Sequence, residues 1–310
     1  MFADDTNLFY SHKNIITLYE TVNEELHKLS EWFSANSLSL NLKKTKYALF
    51  HSRGKRIPTN IPQLFIDNHE IERNKVNKFL GILIHENLTW DDHVNYIKQK
   101  ISKNLGIFYK TRQILNKKTM TQLYFSFINS YLSYGVTIWG STCTTTLNPL
   151  HVKQKHAARI IFNENRFAHS EPLLTEMKAL NIYQLNVFNI ACFMFKNVEL
   201  KETPRVFDTL SIAINNKYDT RLCGDLKTPY CKTLRKQKTI SYRGPKIWNA
   251  ICQAERKEKE EKEKKGENND VKSDAEEEKT HIFAGLTYHT FKLKVKLHLL
   301  NKNVKTEDFY

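Results

Sequence analysis

The spacing of apolar residues changes at Trp90, and that change sets the fold class. Before it, apolar residues come in short alternating or clustered runs separated by turn residues; after it, they recur every three or four positions. Leu38, Leu40 and Leu42 alternate with Ser39 and Asn41, which predicts a short strand, and Tyr47–His51 predicts another. Leu64–Ile66 and Glu70–Ile71 around Asp67-Asn68 predict a hairpin, and Phe79–Ile84 a further apolar strand. One helix precedes these, over Asn14–Ala35, on the stripe Leu18, Val22, Leu26, Leu29, Trp32 and Phe33. Past Trp90, Val94, Ile97, Ile101, Leu105 and Phe108 form one apolar stripe, expected to be buried together with Trp90. Helices are also expected over Met120–Trp139, Leu150–Asn163, Asn181–Val198 and Tyr288–Leu300. Pro204–Cys252 is less regular, with turn signals at Gly224, Pro229 and Gly244-Pro245. Short strands with one helix, followed by a run of helices, make an α+β chain.

Charge points to the class of partner. The 310 residues contain 48 Lys plus Arg and 33 Asp plus Glu, a net of +15. The low-complexity segment Glu255–Lys279 is acidic, with 8 basic and 11 acidic residues, so the remainder is more basic than the whole. Such a balance favours polyanions; a soluble protein with many surface lysines is the alternative. No apolar stretch is long enough to cross a membrane as a helix, and the acidic start excludes a signal peptide. The five cysteines form no C-x-x-C pair, so a zinc site is not expected, and a reduced chain, nuclear or cytoplasmic, is.

Candidate chemistry is concentrated at the start. Phe2-Ala3-Asp4-Asp5 followed by Leu8-Phe9-Tyr10 reads as strand, tight turn, strand. Paired carboxylates on such a turn can offer oxygens to divalent metals; an ordinary surface turn is the alternative for the tetrapeptide alone. On the helices, Lys155 and Arg159 lie four apart with Lys153 and His156 nearby, while Lys103 and Lys110 share a face at seven-residue spacing. These faces suit duplex phosphates, or are merely solvated.

Beyond the tetrapeptide, a series of short blocks follows in order. Trp32, Asn36, Leu38, Leu40-Asn41 and Lys44-Thr45 come first, then Lys78-Phe79-Leu80-Gly81-Ile82 and Leu88-Thr89-Trp90 with His93. Ala157-Ala158-Arg159-Ile160-Ile161, Glu171-Pro172-Leu173-Leu174 and Tyr242-Arg243-Gly244-Pro245-Lys246-Ile247-Trp248-Asn249 continue the series. In this order the blocks resemble the reverse transcriptases of LINE-type, non-LTR retrotransposons of the jockey-like group, from Met1 to Ile251.

The resemblance implies a partial polymerase palm at 1–86 and a helical thumb-like region at 87–165. It further implies a helical C-terminal region at 166–252 and a terminal helix at 281–310, with the charged insertion at 253–280 having no counterpart. It implies RNA-directed DNA polymerisation with Mg²⁺, on an RNA template and DNA primer (an RNA–DNA duplex), with deoxynucleotides as substrates in the intact parent. Asp4 and Asp5 take the metal-binding positions, and Phe2 the place of an aromatic next to the primer end. Lys44 sits where the family often has a lysine near the triphosphate: a proton donor to pyrophosphate, a charge clamp, or a plain surface lysine. Phe79, Leu80 and Gly81 take the primer-grip positions, or form an ordinary buried strand. The family carries an earlier palm strand with a further catalytic aspartate and a fingers region, neither of which precedes Met1. The chain alone is therefore expected to be an inactive C-terminal part of a polymerase. The alternative is a catalytically inactive nucleic-acid-binding fragment or decayed retroelement product.

Overall fold

The computed structural model describes residues 6–58, 60–211, 225–264, 282–283, 285–301, 304 and 306–310. Phe2, Asp4 and Asp5, with the turn expected around them, lie outside the described residues, as does Gly224. The chain is mixed helix and sheet, as an α+β reading requires, and divides into two compact units, 1–93 and 94–310.

In the first unit, α1 (Ile15–Ala35) starts where the Asn14 side chain accepts a hydrogen bond from the backbone N–H of Ile16, 2.9 Å away. Its inner face, with Tyr19 and Leu26, packs on Leu64, Ile66 and Ile71. The strands are short. β1 (Lys46–Tyr47) pairs in parallel with β4 (Glu72–Arg73), and β2 (Phe65–Ile66) pairs antiparallel with β3 (His69–Glu70). The β2–β3 turn is Asp67-Asn68, with φ of 48° and 63°, the left-handed pair that two-residue hairpins favour.

Four expectations in this unit are corrected. Leu8–Tyr10 forms no strand; no other strand among the described residues offers it a ladder. Leu38–Leu42 is not a strand either. The Asn41 carbonyl accepts from the N–H groups of Lys44 and Thr45 and from the Thr45 hydroxyl, bending the chain into a turn. Leu40 and Leu42 still pack, half-buried, against the α1 core. Of Tyr47–His51, only Tyr47 is in a strand. The run Phe79–Ile84 is not one strand but the tip of a hairpin: β5 (Val76–Phe79) pairs antiparallel with β6 (Ile82–His85). Leu80 and Gly81 make the turn with φ of 45° and 83°. Beside it, the backbone N–H of Leu83 donates to Nδ1 of buried His93 at 3.3 Å, and burial lowers the His93 pKa to about 4.

The helix α2 (Asp91–Thr111) opens with Asp91 and Asp92 in its first turn, where carboxylates meet the positive end of the helix dipole. Val94, Ile97, Ile101, Leu105 and Phe108 are all buried, whereas Trp90 is only half-buried. The single helix expected over Met120–Trp139 is interrupted twice. It consists of α3 (Lys117–Tyr124), a wide π-type turn (Phe125–Asn129), α4 (Ser130–Ser133) and, after a bend at Gly135 (φ 61°), α5 (Val136–Trp139). The wide turn has a cause in the spacing. Buried Met120, Tyr124, Ile128 and Leu132 come at strict four-residue intervals, which a regular α-helix rotates by about 40° per step. An i→i+5 turn takes up that drift. A side chain of α2 satisfies a carbonyl in the turn: Asn104 Nδ2 donates to Phe127 O at 2.7 Å.

The rest of the second unit is built around α8 (Ile182–Val198), which a capping box between Asn181 and Gln184 starts. Gln154, on α6 (Thr144–Ile161), is fully buried; its Nε2 donates to the Tyr124 hydroxyl at 2.9 Å and to Leu180 O at 3.2 Å, and its Oε1 accepts from Ile182 N–H at 2.8 Å. One amide thus ties three segments together. Phe195, Trp248, Phe283 and Phe291 form an aromatic centre, with α10 (Ile240–Lys264), which follows the short α9 (Leu234–Gln237), and α11 (Tyr288–Leu300) against α8. Gly244-Pro245 lies inside α10 and makes no turn. Proline there costs one backbone bond near the helix start, and Gly244 lets α10 approach α8, since a Cβ would stand 2.6 Å from Met194 Sδ.

The charged segment also begins later than its composition suggests. Glu255 is buried within α10, bonded to Lys294 and His298 of α11.

Gly140 is tighter still. A Cβ there would meet Val136 O at 2.5 Å and Asn186 Nδ2 at 2.8 Å. The Tyr310 hydroxyl closes the same corner, 2.9 Å from Gly140 O and 3.0 Å from Asn186 Oδ1. Gly140→Ala should destabilise by about 1–3 kcal/mol through overpacking. Urea unfolding checks this, and a shift within about 0.5 kcal/mol would mean the corner relaxes freely.

Candidate nucleic-acid interface

The expected contact residues fall into two groups, one in each unit. In the first, Lys44 is exposed on the turn after α1, its backbone N–H held by Asn41. Phe79, Leu80 and Gly81 are exposed at the β5–β6 tip, so the buried-strand alternative for Phe79 and Leu80 does not hold. In the second, Lys103 and Lys110 are exposed on α2, away from its buried stripe. Lys155 and Arg159 are half-buried on α6 and line one open cleft of about 430 Å³.

The cleft is formed by the last turns of α6 and the loop leading to α7 (Glu171–Glu176). Asn163, in the left-handed region at φ 55°, ends α6 and turns the chain back, with Glu164 N–H donating to Arg159 O at 2.9 Å. Arg159 Nε donates to Ala168 O at 2.8 Å, so this arginine is partly structural: it fastens the returning loop to the helix. Within the loop, Ala168 N–H donates to Asn165 O at 3.0 Å and Phe167 N–H to Asn165 Oδ1 at 3.3 Å.

Four cations and one carboxylate lie between Leu150 and Ser170. No ion pair among the described residues involves Lys153, Lys155, Arg159 or Arg166. Their field is felt locally: partial burial lowers the His156 pKa, and Lys153, Arg159 and Arg166 lower it further. His151 is pushed down to about 4 by burial and then by Lys155. Both rings are neutral near pH 7, and the positive charge belongs to the lysines and arginines. Glu171, at the start of α7, also lines the cleft.

Sequence reasoning found Lys153, Lys155, His156 and Arg159 from their helical spacing but missed Arg166, Phe167 and His169. The available signal was a phenylalanine flanked by polar loop residues, Asn163-Glu164-Asn165-Arg166 before it and His169-Ser170 after.

Elsewhere, the one group of metal-ligand side chains close enough to share an ion, among the described residues, is Glu255, Glu258 and His298. The Glu255 oxygens are already taken by Lys294 at 2.5 Å and His298 at 2.7 Å, which makes it an ion-pair network. None of the described helices is long and apolar enough to cross a membrane.

Two curated relatives, both from Drosophila melanogaster, are similar to the chain. It is 22% identical over 185 residues to the probable RNA-directed DNA polymerase from transposon X-element, covering 59% of the chain and 20% of that protein. It is 22% identical over 181 residues to the RNA-directed DNA polymerase from mobile element jockey, covering 57% of the chain and 19% of that protein. The matched region thus spans about a fifth of each relative's length. No protein-family model and no solved structure matches the chain. The similarity of this chain is to the reverse transcriptases of LINE-type mobile elements.

Proposed function

We propose that this chain is part of an RNA-directed DNA polymerase of a non-LTR retrotransposon, and that its second unit holds the primer–template duplex by phosphate contacts. The observation that carries this reading is the set of four cations on and beside α6, none of them in an ion pair among the described residues, in a chain whose relatives are polymerases of mobile elements. Such a surface neutralises backbone charge without reading bases.

In the same reading the first unit is the partial palm and α2 opens the thumb. The β5–β6 tip, Phe79-Leu80-Gly81, lies along the primer strand, where the glycine allows close approach. Lys44 reaches the triphosphate of the incoming deoxynucleotide as a charge clamp or proton donor. Phe2 stands beside the primer end. The Asp4-Asp5 pair supplies hard carboxylate oxygens, the donor type magnesium prefers, so this donor set fits the ion. When bound, magnesium would neutralise charge on the transferring phosphoryl group. The chain's own residues there hold and orient.

The test is a salt titration of binding to two unrelated RNA–DNA hybrids. Log affinity should fall linearly with log salt, by about 0.9 per phosphate contact, with little difference between the hybrids. Lys155→Gln with Arg159→Gln should flatten the slope by about two contacts. Deleting residues 265–279, which carry a net of −3, should leave affinity unchanged or slightly tighter. The deletion starts there because α10 runs to Lys264. Salt-independent binding, or strong preference for one hybrid, would overturn the reading.

A further inference from the structure

Phe167 is 86% exposed, and no large apolar side chain among the described residues is more so. Its exposure is not that of a loose loop. The Arg159 Nε bond to Ala168 O fastens the segment on one side, and Asn165 holds Phe167 and Ala168 by their N–H groups on the other. The backbone is tied down while the ring stands out in water. A ring held in this way loses little freedom when something flat is laid on it.

The surroundings limit what that can be. Arg166 precedes the ring, Lys155 and Arg159 line the cleft beside it, and Lys153 adds to the same field. An apolar protein partner gains nothing from four cations, and a duplex offers phosphates but keeps its base faces stacked away. A ligand that uses both the ring and the cations carries phosphates and an accessible aromatic face: a single strand. Glu171 also lines the cleft, and its negative charge leaves the phosphates to Lys155 and Arg159.

We infer that the loop 162–170 is a single-strand site, in which Phe167 stacks an unpaired base while Lys155, Arg159 and Arg166 hold the flanking phosphates. This rests on the nucleic-acid reading above and refines it: the same basic surface that holds duplex phosphates has at its edge a place for a strand that has left, or not yet entered, the duplex. The recognition is stacking and charge, common to RNA and DNA, and so tolerant of sequence.

The experiment uses the full chain with twelve-nucleotide oligouridylate and oligothymidylate, and a blunt RNA–DNA hybrid as control. Phe167→Ala should weaken both single strands about tenfold and change hybrid affinity by less than about twofold. Phe167→Trp should restore single-strand binding and place an indole whose emission is quenched when the oligonucleotide is added. Because the ring is exposed, neither variant should shift the thermal midpoint. Lys155→Gln with Arg166→Gln should lower the salt slope for single strands by about 1.4.

If Phe167→Ala leaves single-strand affinity unchanged, or weakens strand and hybrid equally, the stacking inference is wrong. Should the lysine and arginine changes still flatten the slope in that case, duplex holding stands without it. No binding to any polynucleotide by the parent chain would remove both. If Phe167→Ala instead abolishes concentration-dependent self-association and spares oligonucleotide binding, a second copy covers the ring and the inference fails. Unequal affinity for the two sugars supports it provided the alanine lowers both.

Discussion

Replacing Glu255 with alanine is expected to destabilise the second unit by about 3–5 kcal/mol, among the largest effects of any single change in the chain. The carboxylate is buried between α10 and α11, with Lys294 Nζ 2.5 Å from one oxygen and His298 Nε2 2.7 Å from the other. His298 is itself buried, and its Nδ1 lies 3.6 Å from Glu258 Oε2, too far to replace the 2.7 Å bond to Glu255. Removing the acid leaves cationic and polar groups facing an empty, water-poor space, which costs more than the pair contributed. Glu255→Gln retains the shape and hydrogen bonds without the charge, so about half of the loss should return. Guanidinium unfolding of the three proteins measures this, and a change within about 0.5 kcal/mol for alanine would show that water replaces the acid.

The same carboxylate sets a pH dependence. The His298 hydrogen bond, against the opposing effect of burial and aided by Lys294, holds the Glu255 pKa at about 2. A folded pKa below the unfolded value of about 4.3 gives stability that is fully present above that value. It is lost as pH falls from there towards 2. Glu255→Gln should flatten the acid limb of a stability–pH curve over this window, and an unchanged limb would assign it to other acids.

Ile101→Ala is expected to cost about 2–5 kcal/mol. Ile101 is 0% exposed at the middle of the α2 stripe, with Ile97 and Leu105 buried one turn away on either side, so the cavity has little chance to collapse. Ile101→Val, which removes one methyl, should cost about 1 kcal/mol. Urea unfolding again decides, and an effect below about 0.5 kcal/mol would place the side chain at the surface.

That stripe shows why part of the fold was legible. A helix with five apolar residues at three- and four-residue spacing leaves few alternatives, and the same holds for α1, α8 and α11. Asp67-Asn68 was legible because two-residue hairpin turns demand left-handed backbone, which these residues tolerate. What was not legible depended on partners distant in sequence or on competition within a few residues. The alternation of Leu38, Leu40 and Leu42 is a strand pattern, yet Asn41 captures the next N–H groups first. Gly244-Pro245 is a turn signal in isolation, yet it lies within α10, where the missing side chain leaves room for Met194, fifty residues earlier. Glu255 shares the composition of the charged run that follows, and its burial depends on Lys294 and His298, far along the chain.

The candidate surface divides along the same line. Lys155 and Arg159 were found because helical spacing places residues four apart on one face. Phe167 was not, because a lone loop phenylalanine has no periodicity, and only the bonds from Arg159 and Asn165 reveal that it is presented outward.

The wide turn at Phe125–Asn129 bears on how this chain should be compared with others. A helix that holds one peptide more than its regular form can lose or gain a residue at that point while the helices on both sides keep their phase. Length variation among homologous chains is usually sought in loops. Here an alignment gap of one position within 125–129 is the conservative choice, and moving it into the neighbouring connections would put every buried residue from Ile128 to Trp139 out of step.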